Sequence, residues 1–205
     1  MGIVIHNGEV VTASERFAAD LRLENGTITQ MGTRLEPEGG DETIDATGHF
    51  VLPGFIDPHV HMELGFMGTV SADDFEVGTA SGVAGGTTCI VDFCIPAPNE
   101  SMLAALESWR RKAAKAVCDY SFHMAITSWG ERSADEMRAV VLEHGITSFK
   151  VFMAYKGAIM VDDAALYCVM REAAKLGAVV TVHAENGDAV WHLQRELVAR
   201  GCLGP

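Results

Sequence analysis

The sequence is poor in basic residues and has none of the marks of a secreted or membrane-spanning chain. Its 15 Lys and Arg residues stand against 28 Asp and Glu residues, which gives a formal net charge of −13. Nucleic acids and anionic membrane surfaces bind basic patches, so this balance argues against both as partners. No run approaches the roughly 18 apolar residues of a membrane span, and the first ten residues do not resemble a signal peptide. We therefore expect a cytoplasmic protein.

The cysteines are also too few and too widely spaced to form a disulfide framework. The five cysteines are odd in number, widely spaced and without a CxxC pair, which argues against disulfides and a structural zinc knuckle: Cys89, Cys94, Cys118, Cys168 and Cys202. What the chain does contain is 48% hydrophobic residues and 21 glycines among 205 residues. That is enough to bury a large core, at the upper end of the length of one ordinary domain.

Residues 1–52 predict a small antiparallel β region. Short β-rich runs alternate with turn residues, and two Asn-Gly pairs, Asn7-Gly8 and Asn25-Gly26, lie between such runs. An Asn-Gly pair between alternating apolar runs is the strongest short-range signal for a β-hairpin. We therefore predict a hairpin at each pair.

Residues 53–205 change to a pattern of alternating strands and helices. Apolar strands are predicted at 55–61, 87–95, 119–126, 146–153 and 178–183, with helices near 73–84, 99–117, 133–144, 162–176 and 187–200. Strand starts about 30 residues apart are typical of βα units that feed a parallel sheet buried on both faces. Glycines such as Gly145 and Gly177 mark helix ends.

Five βα units fit either an open doubly wound sheet or part of a (β/α)8 barrel. The first strand-to-helix junction has no GxGxxG, which disfavours a dinucleotide-binding domain. A complete barrel needs eight units and about 250 residues. We therefore predict an α/β protein with the first part of a TIM-type barrel in residues 53–205, apparently truncated.

Two histidines follow the first apolar strand of this second part, in the stretch VLPGFIDPHVHME. Residues two apart on an extended strand point to the same face, so His59 and His61 can present two imidazoles side by side. Imidazole is the commonest neutral ligand of zinc-like ions. The alternative is a pair of polar residues in an ordinary loop, and the short motif does not decide between them.

Lys150 stands in a strongly apolar strand, between Phe149 and Val151. An ammonium buried without a partner is costly, so it must lose its proton or be paired. Beside metal ions a neutral amine can add carbon dioxide, and the resulting carbamate can bridge two cations with its two oxygens. The alternative is a lysine at the edge of the sheet whose stem reaches water.

Other polar side chains are predicted at the same end of the sheet, where the chemistry of parallel barrels collects. His183 ends the fifth strand and, beside the histidine pair and Lys150, is better explained as a metal ligand than as a hydrogen-bonded strand end. Tyr155 can donate a hydrogen bond to a developing oxyanion or serve as an aromatic anchor. His123 is interpreted as a buried structural residue or a support for the ligands. Asp92 is left open.

These motifs resemble those of the amidohydrolase superfamily. The segments that carry the resemblance are GFIDPHVH, MELGFMGTVSADDF, GGTTCIVDF, SFKVFMAYKG and VTVHAEN. FMAYKG after a strand lysine is specific to the dihydropyrimidinase and D-hydantoinase branch and its close relatives. The resemblance runs along the whole chain, and it implies that residues 1–52 are part of a small β-sandwich that precedes the barrel.

The resemblance also implies a metal centre and a reaction. His59 and His61 would hold one zinc ion, and His183 would hold a second. Carboxylated Lys150 would bridge the two ions, and Tyr155 would bind the substrate carbonyl and its tetrahedral intermediate. The implied reaction opens 5,6-dihydropyrimidines or 5-substituted hydantoins to N-carbamoyl amino acids by hydrolysis. An apolar wall of the substrate pocket would comprise Leu64, Phe66, Phe152 and Ile159.

Two departures from the family pattern matter. Gly65 stands where the family usually has proline, which predicts a more mobile loop. The family also takes a further zinc-binding histidine, and an aspartate that is both ligand and general acid/base, from later barrel strands. We therefore expect the N-terminal part of a longer enzyme, inactive by itself. The alternatives are an allantoinase or dihydroorotase type of enzyme, or a non-enzymatic structural relative. The family resemblance implies a homotetramer or a dimer.

Overall fold

The computed structural model describes residues 2–66 and 68–204. The chain divides into two compact units, of which the first ends at Gly54 and the second begins at Phe55. None of the described helices is long and apolar enough to span a membrane.

The first unit is a five-stranded sheet organised around its first strand. The strands are β1 (Ile3–Val11), β2 (Arg16–Glu24), β3 (Thr27–Gly32), β4 (Glu42–Asp45) and β5 (Phe50–Val51). β1 pairs antiparallel with β2 but parallel with both β4 and β5. The prediction of a purely antiparallel region is therefore wrong, because parallel partners arrive through long connections that turn signals do not reveal.

The two Asn-Gly pairs behave differently. Asn25 and Gly26 join β2 to β3 with φ of 51° and 75°, the left-handed values that a type I′ turn requires, and this predicted hairpin is confirmed. Asn7 and Gly8 lie inside β1, at an irregular step in its pairing with β2. A Cβ on Gly8 would lie 2.5 Å from Cγ2 of Val51. Here Asn-Gly forms a bulge, and the predicted hairpin is wrong.

The second unit alternates strands and helices in chain order. The order is β6 (Phe55–Val60), β7 (Gly65–Phe66), β8 (Thr69–Val70), α1 (Phe75–Ala84), β9 (Thr87–Cys94), α2 (Met102–Ala113), β10 (Asp119–Ala125), α3 (Ser133–Leu142), β11 (Ser148–Phe152), α4 (Asp163–Leu176), β12 (Val179–His183) and α5 (Gly187–Ala199). The five predicted helices and five predicted long strands are confirmed within a few residues. β7 and β8 form a short separate ladder in the loop after β6.

The long strands form one curled parallel sheet in the order β12-β11-β10-β9-β6. The neighbours in this order are also neighbours along the chain, as in a (β/α)8 barrel, and the predicted α/β class is confirmed. Side-chain caps set where the helices begin. Asp74, Ser101, Asp162 and Asn186 each accept a hydrogen bond from a backbone N–H of the first turn of α1, α2, α4 and α5, respectively.

One face of the sheet packs against the helices and forms the main core. Its largest fully buried side chains include Phe75, Leu106, Met124, Val140, Phe149 and Val169. The margins of the sheet are less covered. Phe55 and Ile56 on β6 are 51% and 64% exposed, and no described strand pairs with the outer edge of β6 or of β12. The expectation of strands buried on both faces is therefore wrong for β6.

Candidate metal centre

Strand alternation places the predicted ligands on the face of the sheet opposite the helices. In a parallel sheet, paired residues share a face. The pairs His123 with Phe93 and Ala125 with Lys150 bring β9, β10 and β11 into line, and Phe152 pairs with His183 on β12. His59 points to this face from the end of β6. The concave face therefore collects polar side chains from four of the five strands.

Phe93 lies at the centre of this group. Its ring centroid is 4.5 Å from that of His59, 4.9 Å from that of His61 and 4.6 Å from that of His123. The Nζ atom of Lys150 lies 5.1 Å from the same centroid. Phe93 is only 2% exposed. One aromatic ring thus forms a platform on which three imidazoles and an amine converge. Sequence reasoning missed Phe93, because an aromatic residue in an apolar strand is usually part of the core.

The histidine pair has the geometry expected of two ligands on one strand end. The ring centroids of His59 and His61 are 5.4 Å apart and the rings meet edge to face. Burial lowers the pKa of His59, and the charges of Lys150 and His123 lower it further. Burial also lowers the pKa of His61, with added repulsion from His59 and Lys150. Both imidazoles therefore favour the neutral form, which is the form that binds metal ions.

Lys150 is buried, with 6% of its surface exposed, and burial lowers its pKa. Among the described residues, no carboxylate lies within ion-pair distance of its Nζ atom. The alternative of an edge lysine that reaches water is therefore wrong, since β11 lies inside the sheet between β10 and β12. A desolvated, unpaired amine is the state that reacts with carbon dioxide.

His183 and Tyr155 lie together beside this group. Their ring centroids are 5.2 Å apart, and the imidazole Nε2 of His183 contacts the carboxylate of Glu185. Tyr155 has a left-handed backbone with φ of 63°, which is uncommon for a bulky residue and is found where surrounding contacts impose it. Sequence reasoning gave Glu185 no role, although it follows His183 by two residues.

Three of the four predicted apolar wall residues lie in one cluster, and two of them, Phe66 and Phe152, lie beside Tyr155. Phe152 and Ile159 are buried together, and Phe66 packs against them. The ring centroid of Tyr155 lies 5.3 Å from that of Phe66 and 6.0 Å from that of Phe152. Leu64 lies on the loop before Phe66, where its backbone N–H donates to Ser71 Oγ at 2.8 Å.

The donor set fits part of a dinuclear metal site. In residues 2–66 and 68–204, no group of three His, Cys, Asp or Glu side chains converges as a metal site. The histidine pair supplies neutral nitrogen donors, and Lys150 supplies oxygen donors only after carboxylation. Two imidazoles with one bridging carbamate give mixed nitrogen and oxygen ligands, which zinc accepts. Carboxylation would also provide the negative charge that the group otherwise lacks.

Asp92 fixes the main chain directly after the histidine pair. This carboxylate on β9 is 1% exposed and accepts hydrogen bonds from the backbone N–H groups of Phe93 and of Met62, the latter at 3.2 Å. The Nζ atom of Lys112, on α2, donates to the carbonyl oxygen of Glu63 at 3.0 Å. Burial raises the pKa of Asp92 to about 7, against the opposing effects of its hydrogen bonds and of Lys112.

Asp92→Asn is expected to remove one component of the pH dependence of stability. The pKa of Asp92 is about 7 in the folded protein, against an ordinary value of 3.8 that applies to the unfolded chain. As pH rises, the unfolded chain therefore loses this proton at a lower pH than the folded protein does. The free energy of unfolding of the wild type should therefore fall as pH rises from about 4 to about 7 and then level, by up to about 4 kcal/mol from this group. Urea unfolding of both proteins between these limits measures the difference. If the free energy of unfolding changed with pH equally in both proteins, that result would contradict this account of Asp92.

The chain belongs to the amidohydrolase family, whose model matches residues 50–199. It is 47% identical to a dihydropyrimidinase of Dictyostelium discoideum over 204 residues, which are 99% of this chain and 41% of that protein. It is also 47% identical to a D-hydantoinase of Geobacillus stearothermophilus, over 98% of this chain and 43% of that protein. The predicted resemblance to this branch is confirmed. The chain spans about two fifths of the length of these relatives.

A solved structure shows the same arrangement of elements. The D-hydantoinase from Thermus sp. superposes with a TM-score of 0.95 at 44% identity, over 99% of this chain and 44% of that one. The curled five-stranded sheet described above is therefore a fold that this family uses.

Proposed function

We propose that this chain carries part of the dinuclear zinc centre of a cyclic amidohydrolase. The proposed reaction opens 5,6-dihydropyrimidines or 5-substituted hydantoins to N-carbamoyl amino acids. The observation that carries the proposal is the convergence of His59, His61 and the buried, unpaired Lys150 around Phe93. The names of the relatives, dihydropyrimidinase and D-hydantoinase, support the substrate class.

The chain's own residues would hold the metals as follows. His59 and His61 would bind the first zinc ion through neutral imidazoles. The Nζ atom of Lys150 would form a bond to the carbon of carbon dioxide and release a proton, and the two carbamate oxygens would bridge both ions. His183 would exchange its contact with Glu185 for the second ion. When bound, the zinc ions would supply an activated water and polarise the ring carbonyl. The remaining ligands would come from another part of the enzyme.

The aromatic group next to the centre would position the substrate. The phenol of Tyr155 would donate a hydrogen bond to the carbonyl oxygen under attack and to the oxyanion that follows. Phe66 and Phe152, which lie beside Tyr155, and Ile159, which packs with Phe152, would face the exocyclic group of the ring and exclude water. Leu64 would extend this wall from its loop. Lys150 and Tyr155 are thus the proposed catalytic residues.

Tyr155→Phe is expected to lower kcat about 100-fold to 1,000-fold, because one donor to the oxyanion is lost. KM should change much less, since the ring contacts with Phe66 and Phe152 remain. The measurement is steady-state hydrolysis of dihydrouracil. Tyr167→Phe is the matched control, because Tyr167 lies on α4 and is 63% exposed. An unchanged kcat in Tyr155→Phe would assign this residue to packing alone.

The proposed function is tested by zinc content and a substrate panel. Elemental analysis of the purified protein should give about two zinc ions per chain if all ligands are present. The panel comprises dihydrouracil, a 5-substituted hydantoin, allantoin and dihydroorotate. Hydrolysis of the first two supports the proposal, whereas activity on the last two alone would replace it with an allantoinase or dihydroorotase type. Absence of both zinc and hydrolysis when the remaining ligands are also supplied would favour a non-enzymatic relative.

We further propose that the active enzyme is a homotetramer or a dimer, as the family resemblance implies. Sedimentation equilibrium of the purified protein at several concentrations measures this state. A monomer that hydrolyses dihydrouracil at full rate would overturn this part of the proposal.

A further inference from the structure

One imidazole ring ties together three strands of the curled sheet. His123 stands on β10, and its Nε2 atom lies 2.9 Å from the carbonyl oxygen of Pro58 on β6. Its Nδ1 atom lies 2.6 Å from Oγ of Ser148 on β11. β9 separates β6 from β10 in the sheet, so this ring reaches across the ring of Phe93, 4.6 Å away between centroids. The bridge therefore runs over the concave face, beside the histidine pair.

The partners of His123 fix which nitrogen carries the proton. A carbonyl oxygen only accepts, so Nε2 must be protonated and donate to Pro58. In the neutral ring Nδ1 is then an acceptor, and the hydroxyl of Ser148 donates to it. Both ring nitrogens are used, and the ring has one tautomer that satisfies both bonds.

His123 bonds to Pro58 at a point where β6 has no regular pairing with β9. β6 pairs with β9 at Asp57 and again at Val60, and the register shifts between them. Pro58 and His59 therefore lie in a bulge without regular partners on β9, and Pro58 has no N–H to donate. The Oδ1 atom of Asp57 accepts from the N–H of His59 at 3.0 Å. His123 holds the carbonyl of the same peptide bond, so the peptide plane that carries His59 is fixed on both sides.

The other end of the bridge reaches the lysine strand. Ser148 precedes Lys150 by two residues on β11, and therefore lies on the same face. We propose that His123 is a positioning residue that, with Ser148, sets the orientation of His59 relative to Lys150. This inference rests on the proposed function for the consequence of that orientation, namely zinc affinity. The hydrogen-bonded bridge is tested separately from it.

Three substitutions of His123 separate its bonds from its packing. The amide nitrogen of Gln reaches as far as Nε2, so His123→Gln keeps a donor for Pro58. The amide oxygen of Asn stands in for Nδ1, so His123→Asn keeps only the bond from Ser148. His123→Phe removes both bonds but keeps a ring on Phe93. Ser148→Ala removes the hydroxyl alone.

The first measurement is the zinc dissociation constant of each purified protein, by competition with a chelator. Loss of a group that orients a ligand typically weakens metal binding 10-fold to 100-fold. We expect this loss in His123→Phe and His123→Asn, whereas His123→Gln should retain most of the wild-type affinity. Thermal unfolding of each variant shows that it folds. If His123 acted only through packing, His123→Phe would bind zinc as tightly as the wild type, and that result would overturn the inference.

The second measurement does not depend on zinc. Imidazole 15N chemical shifts in the metal-free wild type should show His123 protonated at Nε2 alone, and Ser148→Ala should shift the Nδ1 resonance. The resonances of His59 should be single in the wild type and in His123→Gln, and should broaden or double in His123→Phe. A wild type that binds no zinc even with the remaining ligands supplied would overturn the proposed function, while these spectra still decide on the hydrogen bonds of His123. Protonation at Nδ1, or His59 resonances unchanged in His123→Phe, would overturn the inference.

Discussion

Lys150→Met is expected to abolish zinc binding and hydrolysis while leaving the fold at least as stable as the wild type. The side chain is 6% exposed, and no carboxylate of the described residues forms an ion pair with it. Replacing such an amine by an apolar group of similar length removes a desolvation penalty. The same change removes the only group in the cluster that can become an anionic bridge. Stability and function should therefore move in opposite directions.

The expected size of this effect exceeds that of any supporting residue. A group that only orients a ligand contributes 10-fold to 100-fold to metal affinity. Loss of the bridging carbamate of Lys150 should lower metal affinity by more than this. Metal ions contribute several kcal/mol of transition-state stabilisation, and each 1.36 kcal/mol is tenfold in rate. We therefore expect kcat/KM for dihydrouracil to fall at least about 1,000-fold in Lys150→Met.

The matched control is Lys156→Met, six residues further along the chain. Lys156 is exposed and pairs with the carboxylate of Asp188, so its loss should change stability by less than about 1 kcal/mol. Zinc content, kcat/KM and urea unfolding are measured for both variants. A Lys150→Met protein that retains two zinc ions would refute the carbamate bridge. One that unfolds much more readily than the wild type would refute the unpaired, buried amine.

Phe93→Ala should destabilise the protein by about 3–5 kcal/mol and also release zinc. Removing a fully buried aromatic ring loses its transfer free energy and leaves a cavity. Here the cavity would open beneath His59, His61 and His123, whose ring centroids all lie within 5 Å of that of Phe93. Those rings would lose the surface that restricts their rotamers, so the ligand geometry should be lost together with stability.

Phe122→Ala separates the two effects. Phe122 is similarly buried, 5% exposed, but lies on the opposite face of β10, against the helices. The Phe122→Ala protein should lose about as much free energy of unfolding as the Phe93→Ala protein, and it should keep its zinc affinity at temperatures where it is folded. Urea unfolding and chelator competition on both variants give the comparison. Equal zinc affinity in the two variants would show that Phe93 acts as an ordinary core residue.

The sequence predicted those parts of the site that depend on local periodicity. The alternation of side chains along each strand places His59, Lys150 and His183 on the same face of the sheet. The spacing of about 30 residues between strand starts indicates βα units, whose strands pair in one sheet. Positions that look like ordinary core could not be recognised in this way. Phe93 is chemically indistinguishable from other buried aromatics until three imidazoles are seen around it.

The incorrect predictions have identifiable physical reasons. Asn7-Gly8 is compatible with a bulge as well as with a hairpin, because both accept the left-handed backbone of Asn7. Only the pairing of β1 with β2 on both sides of the two residues decides between them. Glu185 was missed rather than wrongly predicted, because its contact with His183 depends on side-chain rotamers, which sequence spacing does not set. The exposure of β6 depends on what lies beyond its outer edge, which no local pattern within the strand encodes.

The open margin of the sheet implies a gradient in amide hydrogen exchange. Backbone amides of β10 and β11 lie between two strands each, whereas β6 is bonded to a strand on one side only in the part of the chain described. Local opening should therefore be rarer around Lys150 than around His59 and His61, which depend on the side-chain bonds of Asp57, Asp92 and His123 rather than on a second strand. We therefore expect the lysine side of the proposed centre to exchange more slowly than the side of His59 and His61. Anything that binds between them should slow exchange mainly on the histidine side.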